Sequence, residues 1–241
     1  MGGQFIIGTS GWSYNHWQGI FYPDQIKPSE RLAYYASQFN SVEVNCTFYR
    51  LPSEETFIKW RETVPHNFLF SIKASRYITH MKKLKNIEEA ITNLMDKLKL
   101  LGKNLGPILF QFPPGWHYNG KRLNSFLSTF DPALKYTIEF RDSSWFNEEA
   151  YSILEKHGVA LCLYHMPDFE TPEIVTAPFV YIRFHGTKNL YVGSYSNNDL
   201  NHRVEAMKRL LYKGIDIYAY FNNDAAGNAI NNARRLIELT G

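Results

Sequence analysis

The sequence predicts a (β/α)8 barrel of the α/β class, a TIM barrel filling residues 1–241 as a single domain. Three observations predict it. Eight short β-type runs recur along 241 residues, so each unit holds roughly 30 residues, the length of one strand and one crossover helix. Amphipathic helical stretches alternate with the runs, and that alternation implies parallel strands. No GxGxxG fingerprint follows the first run, which disfavours the open, doubly wound sheet, whereas a closed barrel leaves no exposed edge.

The strand runs are Phe5–Thr9, Ser41–Asn45, Leu69–Lys73, Ile108–Phe112, Tyr136–Phe140, Val159–Leu163, Phe179–Phe184 and Ile215–Phe221. Helical patterns cover residues 28–40, 53–63, 86–102, 120–130, 148–156, 199–213 and 225–239. Pro28-Ser29-Glu30 and Pro52-Ser53-Glu54 read as helix starts, and Asp224 is expected to cap the last helix. Gly102, Gly158 and Gly214 sit just past helix ends, where a left-handed residue closes the last turn.

Composition narrows the class. A hydrophobic fraction of 44% excludes a disordered chain, and no 18-residue apolar run is present to cross a membrane. Met1–Ser10 lacks the basic start and long apolar core of a secretory signal, so a cytoplasmic location is expected, with no membrane partner. Cys46 and Cys162 lie in apolar β-like stretches and read as buried thiols in a reducing compartment. A net charge of +3 is a weak signal for nucleic acid; the densest basic stretch, Lys73–Lys85, reads as a solvated loop and helix start or as a surface that tracks phosphates. Aromatic residues make up 16% of the chain, and several fall in Gly/Pro/Asn-rich loops, where they either lid the barrel or stack on a sugar or base.

The most informative pattern lies inside the strands, where side chains alternate between the interior and the helix layer. In Ser41–Asn45 the valines take the outer phase, so Glu43 and Asn45 point inward. The same count turns Glu139 and Arg141 inward, then Arg183 and His185, with Lys73, Gln111 and Asn222 ending their strands in that phase. All nine lie at carboxyl ends, the face where barrel active sites form. Unpaired charges in a packed interior cost several kcal/mol each, so these groups must pair, meet water or face a ligand. A single Glu–Arg pair would read as a structural plug; the whole set reads as a ligand site.

The loops on that face add Trp12 and Tyr14 after the first strand, Tyr49 after the second, Trp145 after the fifth and Asp224 after the eighth as candidate substrate contacts. The loops after the last two strands are where barrels hold phosphate on helix N–H groups, although a capping Asp224 would neutralise that end. Glu43 and Glu139 are candidate acid and base: Arg141 keeps Glu139 ionised as base or nucleophile, leaving Glu43 as acid. Lys73 and Arg183 are expected to hold an anionic group, and Asn45, Gln111 and Asn222 to orient hydroxyls. A salt-bridged Lys73 is expected ahead of a Schiff-base lysine. No cofactor is called for. A divalent metal on Glu43, Glu139, His80, His165, His185 or Asp224 is the weaker reading, because no HxH or HExxH spacing occurs and the inward cations would repel it.

These features suit hydrolysis or isomerisation of a small anionic substrate: a phosphorylated sugar, a nucleotide or a phosphodiester. The alternative is a binding module without chemistry, gripping nucleic acid through Lys73–Lys85 and exposed rings.

The motifs Gly8–Tyr14 (GTSGWSY), Val42–Asn45 (VEVN) with Thr47–Arg50 (TFYR), and Phe70–Ala74 (FSIKA) with Ile78-Thr79-His80 resemble those of the YecE-like family, domain of unknown function 72. So do Gln111–Pro114 (QFPP), Glu139–Arg141 (EFR) with Ser144-Trp145, Arg183–Gly186 (RFHG), and Phe221–Asp224 (FNND) with Gly227. The resemblance spans nearly the whole chain and implies a TIM barrel with no established activity. Departures from the pattern are Ser75 in place of proline, Cys46 in place of a small hydroxyl residue, and Ser194 where arginine is common.

Overall fold

The computed structural model describes residues 2–240, and in it eight parallel strands form the barrel. They are β1 (Phe5–Thr9), β2 (Ser41–Val44), β3 (Leu69–Lys73), β4 (Leu105–Gln111), β5 (Tyr136–Glu139), β6 (Ala160–Met166), β7 (Phe179–Phe184) and β8 (Asp216–Phe221). Ladders join β2 through β8 in sequence and β8 to β1. The circle closes between β1 and β2 with one bridge, Ser10 to Glu43.

That seam is held by a side chain as much as by backbone. Tyr35, fully buried, accepts a hydrogen bond from the Thr9 amide at 2.9 Å and donates to the Ser41 carbonyl at 3.1 Å. Its hydroxyl thus satisfies one donor and one acceptor that a continuous ladder would have paired. Gly8 lets the two strands come this close, since a Cβ there would overlap the Ser41 carbonyl oxygen.

The helices are α1 (Arg31–Ala36), a single turn α2 (Cys46–Tyr49), α3 (Glu54–Thr63), α4 (Glu88–Lys99), α5 (Gly120–Leu127), α6 (Glu148–Lys156), α7 (Asn197–Tyr212) and α8 (Asn228–Thr240). Cys46 opens α2 and is exposed rather than buried, while Cys162 is buried. Asp224 does not cap the last helix: a 3-10 turn, Ala225–Gly227, precedes α8, and the Asp224 side chain makes no capping bond there. No helix joins β6 to β7. The chain instead turns back as a two-residue antiparallel arm, Phe169–Glu170, and then runs extended. Thr171 and Thr176 pin that segment, their hydroxyls accepting from the amides of Tyr164 at 3.0 Å and Leu161 at 2.8 Å. A cleft of about 480 Å³, lined by Leu163, Val175, Val180, Ile182, Met207 and Leu210 among others, occupies the place of the missing helix. Among the described residues no helix is long and apolar enough to cross a membrane.

Two cores result. The larger fills the space between strands and helices and carries most of the aromatic residues, including Trp17, Trp145, Phe70 and Phe110. The smaller fills the amino-terminal half of the barrel with Ile6, Leu109, Ala160, Cys162, Phe179, Tyr181, Tyr218 and Tyr220. Tyrosine suits that position because its ring packs as an apolar body while its hydroxyl reaches a polar partner: Tyr220 meets Ser41 and Tyr181 meets Ser71, both at 2.7 Å. With one half packed, the inward polar residues gather at the other.

Candidate active site at the barrel mouth

Arg183 spans the barrel. Its Nη2 donates to Glu43 Oε1 at 2.7 Å and its Nη1 to Glu139 Oε2 at 2.6 Å, so one guanidinium from β7 ties β2 to β5. All three side chains are buried. Each carboxylate is further supplied with donors: Glu43 receives Ser10 Oγ at 2.6 Å and Tyr181 Oη at 2.7 Å. Glu139 receives Gln111 Nε2 at 2.7 Å and the Arg141 Nε. Arg141 continues the network outward, with Nη2 2.8 Å from His185 Nε2 and its guanidinium over the Tyr164 ring. Asn222 Nδ2 lies 3.2 Å from the other ring nitrogen of His185.

Burial alone would push both carboxyl groups towards their neutral forms. The guanidiniums outweigh it: Arg183 holds Glu43 below the usual carboxylate range, and Arg141 with Arg183 holds Glu139 well below it. Both are therefore ionised at neutral pH. The acid role expected of Glu43 does not fit this arrangement, because a carboxylate so held carries no proton to give. His185 is neutral, kept well below its ordinary pKa by burial first and by Arg183 second.

Lys73, at the end of β3, stands apart from this network. Its ammonium nitrogen lies 4.2 Å from the centroid of the Phe48 ring, and among the described residues no acceptor or carboxylate pairs with it. The expected salt bridge is absent because Arg183 and Arg141 have already engaged both carboxylates. Burial, and then the neighbouring Arg183 charge, pull its pKa down to about 8. His80 completes this corner, its ring 5.0 Å from Phe48 and its Nδ1 2.9 Å from Thr79 Oγ1. Burial and the adjacent Lys73 and Arg76 charges lower its pKa to about 4.

Eight of the nine inward residues are thereby tied to one neighbourhood by contacts or by mutual electrostatic effect. The ninth, Asn45, is partly buried at the end of β2, and its Oδ1 has no partner among the described residues, a shortfall it shares with Arg183 Nε.

The aromatic candidates divide differently. Trp12 is half-buried and packs edge-on against Trp60 and Phe70 at 5.4 and 6.4 Å, against the strand–helix core. Trp145 is buried flat against Phe140 at 4.9 Å and donates its Nε1–H to the Trp116 carbonyl, so it too is core. Both were expected as substrate contacts; their rings instead pack against the strand–helix core, Trp12 half-buried and Trp145 fully buried. Tyr14 donates to the Ser10 carbonyl at 2.5 Å, beside the Ser10–Glu43 bond. Tyr49 is 72% exposed on the rim, free to meet a ligand. Asp224 pairs with His16 at 3.3 Å, and its carbonyl accepts from Trp17 Nε1 at 3.2 Å, which fastens the β1 loop to the β8 loop. The start of α7 carries a capping box in which Ser196 and Asp199 satisfy each other's backbone donors, so those N–H groups are not free for phosphate.

Sequence reasoning passed over four groups of the network: Ser10, Tyr181, Phe48 and Met166, whose sulfur lies 2.9 Å from Arg141 Nη1. Tyr181 shares the inward phase of Arg183 and was legible by the same count. The others sit on a loop, on the single turn α2 or at a strand end, where the strand period does not apply. Among the described residues no three His, Cys, Asp or Glu side chains come together as a metal site.

Known proteins resemble the chain throughout its length. The UPF0759 protein YunF of Bacillus subtilis is 25% identical over 267 aligned residues, covering 97% of this chain and 93% of YunF. The UPF0759 protein YecE of Escherichia coli K12 is 28% identical over 144 residues, covering 58% of this chain and 49% of YecE. The crystal structure of a DUF72 family protein from Thermotoga maritima superposes with a TM-score of 0.88 at 29% identity, covering 98% of both chains. The family model described as a protein of unknown function, DUF72, matches residues 6–241, and the chain belongs to that family.

Proposed function

We propose that the barrel mouth is the active site of an enzyme acting on a small anionic substrate, by hydrolysis or isomerisation through proton transfer. A phosphorylated sugar, a nucleotide or a phosphodiester fits the reading. One observation carries it: three cations, Lys73, Arg141 and Arg183, face two carboxylates, and Lys73 is the one left without a partner. An excess positive charge with restricted access to water attracts and orients an anion more strongly than a surface lysine does. Lys73, with a pKa of about 8, is the group whose proton can leave and return near neutral pH. Glu43 and Glu139 serve as positioning residues that hold Arg183 and Arg141, while Gln111, Asn45, Asn222 and His185 supply polar contacts. No cofactor enters this reading, and two unpaired thiols support a reducing, cytoplasmic setting.

The test is a thermal-shift screen of sugar phosphates, nucleotides and short oligonucleotides on the wild type and on Lys73→Met. A stabilising compound is expected whose effect disappears in the variant. Equal stabilisation of both proteins would overturn the assignment of the site.

A second reading, nucleic-acid binding without chemistry, draws on the rim. Tyr49, Tyr77 and Met81 are 72%, 40% and 65% exposed, beside Arg50, Arg76, Lys83 and Lys85. It predicts oligonucleotide affinity that falls steeply with salt and survives Lys73→Met.

A further inference from the structure

Lys73 has no partner, yet it sits where charged groups are otherwise fully paired. A lysine held in a salt bridge is protonated and cannot act as a nucleophile. Here both nearby carboxylates are taken by guanidiniums, and the amine rests on an aromatic face. Phe48 is buried, so its ring closes one side of the amine to water. A cationic neighbourhood that repels the protonated amine also attracts an anionic substrate and brings its other functional groups to the same nitrogen.

We propose that Lys73 forms an imine with the carbonyl carbon of a small anionic aldehyde or ketone bound at the barrel mouth. The inference rests on the anion-site reading above and narrows the substrate to one bearing both a carbonyl and an anionic group, either phosphate or carboxylate. The chemistry balances without a further reactant. The ammonium first releases a proton to water; the nitrogen lone pair attacks the carbonyl carbon, a C–N bond forms, and the C–O π pair moves to oxygen. The carbinolamine oxygen takes up two protons, one of them from the nitrogen, and leaves as water, giving the protonated imine. That cation then replaces the ammonium charge beside Phe48, and it draws electrons from the adjacent carbon, so a proton there becomes removable. A pKa of about 8 leaves about a tenth of the amine free at pH 7, some three hundred times the fraction of an ordinary lysine.

The experiment is reductive trapping at pH 7 with sodium cyanoborohydride, using pyruvate and glyceraldehyde 3-phosphate as separate probes and peptide mass spectrometry as readout. The peptide bearing Lys73 is expected to gain the mass of the probe less one oxygen atom. Its labelling should run at least ten-fold faster than that of the exposed Lys103 and Lys121. Preference for one probe then distinguishes a carboxylate from a phosphate as the anionic group. Labelling of Lys73 no faster than of those two lysines, with both probes, overturns the imine. A parallel thermal shift with the same probes and no reductant separates the two levels of the argument. If the probes stabilise the wild type but not Lys73→Met while trapping fails, the imine is wrong and the anion site stands; if neither response occurs, both are wrong.

Discussion

Two groups of charge sit at the same end of this barrel and behave in opposite ways. The Glu43–Arg183–Glu139 bridge is buried, and six side-chain donors, from Ser10, Tyr181, Gln111, Arg141 and both Nη atoms of Arg183, reach its two carboxylates. Lys73, a strand or two away, has an aromatic ring for a neighbour and no acceptor. The first group is a structural fastening across the barrel; the second is held in an unfavourable state. Inward-facing polar residues are therefore not of one kind: a charge that is fully paired contributes to holding the fold, while one left unpaired at a cost to stability is a candidate for chemistry.

Three substitutions test that contrast. Arg183→Met should have the largest effect, since it leaves two buried carboxylates without their shared cation; breaking such a pair costs about 3–5 kcal/mol. In a chain of this size that lowers the melting temperature by about 6–20 °C, read by circular dichroism. A melting temperature within a degree or two of the wild type would show that the bridge is not a fastening. Lys73→Met should act in the opposite direction. The folded-state pKa, about 8, lies below the ordinary lysine value of 10.5, so below pH 8 the folded protein bears the full cost of a poorly solvated ammonium. Between about 8 and 10.5 the unfolded chain binds the extra proton, and wild-type stability rises with pH. The variant should thus gain on the order of 2–3 kcal/mol at pH 7 in urea denaturation, and the gain should shrink at pH 10. A loss at pH 7 would mean that Lys73 has a partner after all. The smallest effect is expected from Tyr35→Phe, which strands the Thr9 amide and the Ser41 carbonyl at the barrel seam. A loss of about 1–2 kcal/mol should appear, together with faster hydrogen exchange at Thr9. Unchanged exchange there would remove Tyr35 from the closure.

The barrel was legible because its signals are local and periodic. Strands β1, β3 and β7 run over the expected residues, and the other five differ by a few positions at their ends. The same two-residue period told which side chains face inward, and it did so for Glu43, Glu139 and Arg183. The aromatic loops were not legible in this way. Trp12 and Tyr14 are two residues apart, yet one packs against Trp60 in the helix layer and the other reaches the Ser10 carbonyl. Nothing in a loop sequence specifies which way the backbone turns. The missing helix between β6 and β7 falls between these cases: no helical pattern occupies residues 164–178, but the buried threonines that replace its packing became visible only in the fold.

Alternation of apolar and polar residues, a property of neighbouring positions, determined the barrel, its strands and the set of charges that enter it. Partnership was decided only by the closed tertiary structure. Glu43 and Arg183 are 140 residues apart, and Glu139 and Arg183 are 44 apart. Which cation reaches which carboxylate depends on distances across the barrel, and those exist only once β1 and β2 have met. With two carboxylates committed to two guanidiniums, Lys73 was left over by geometry.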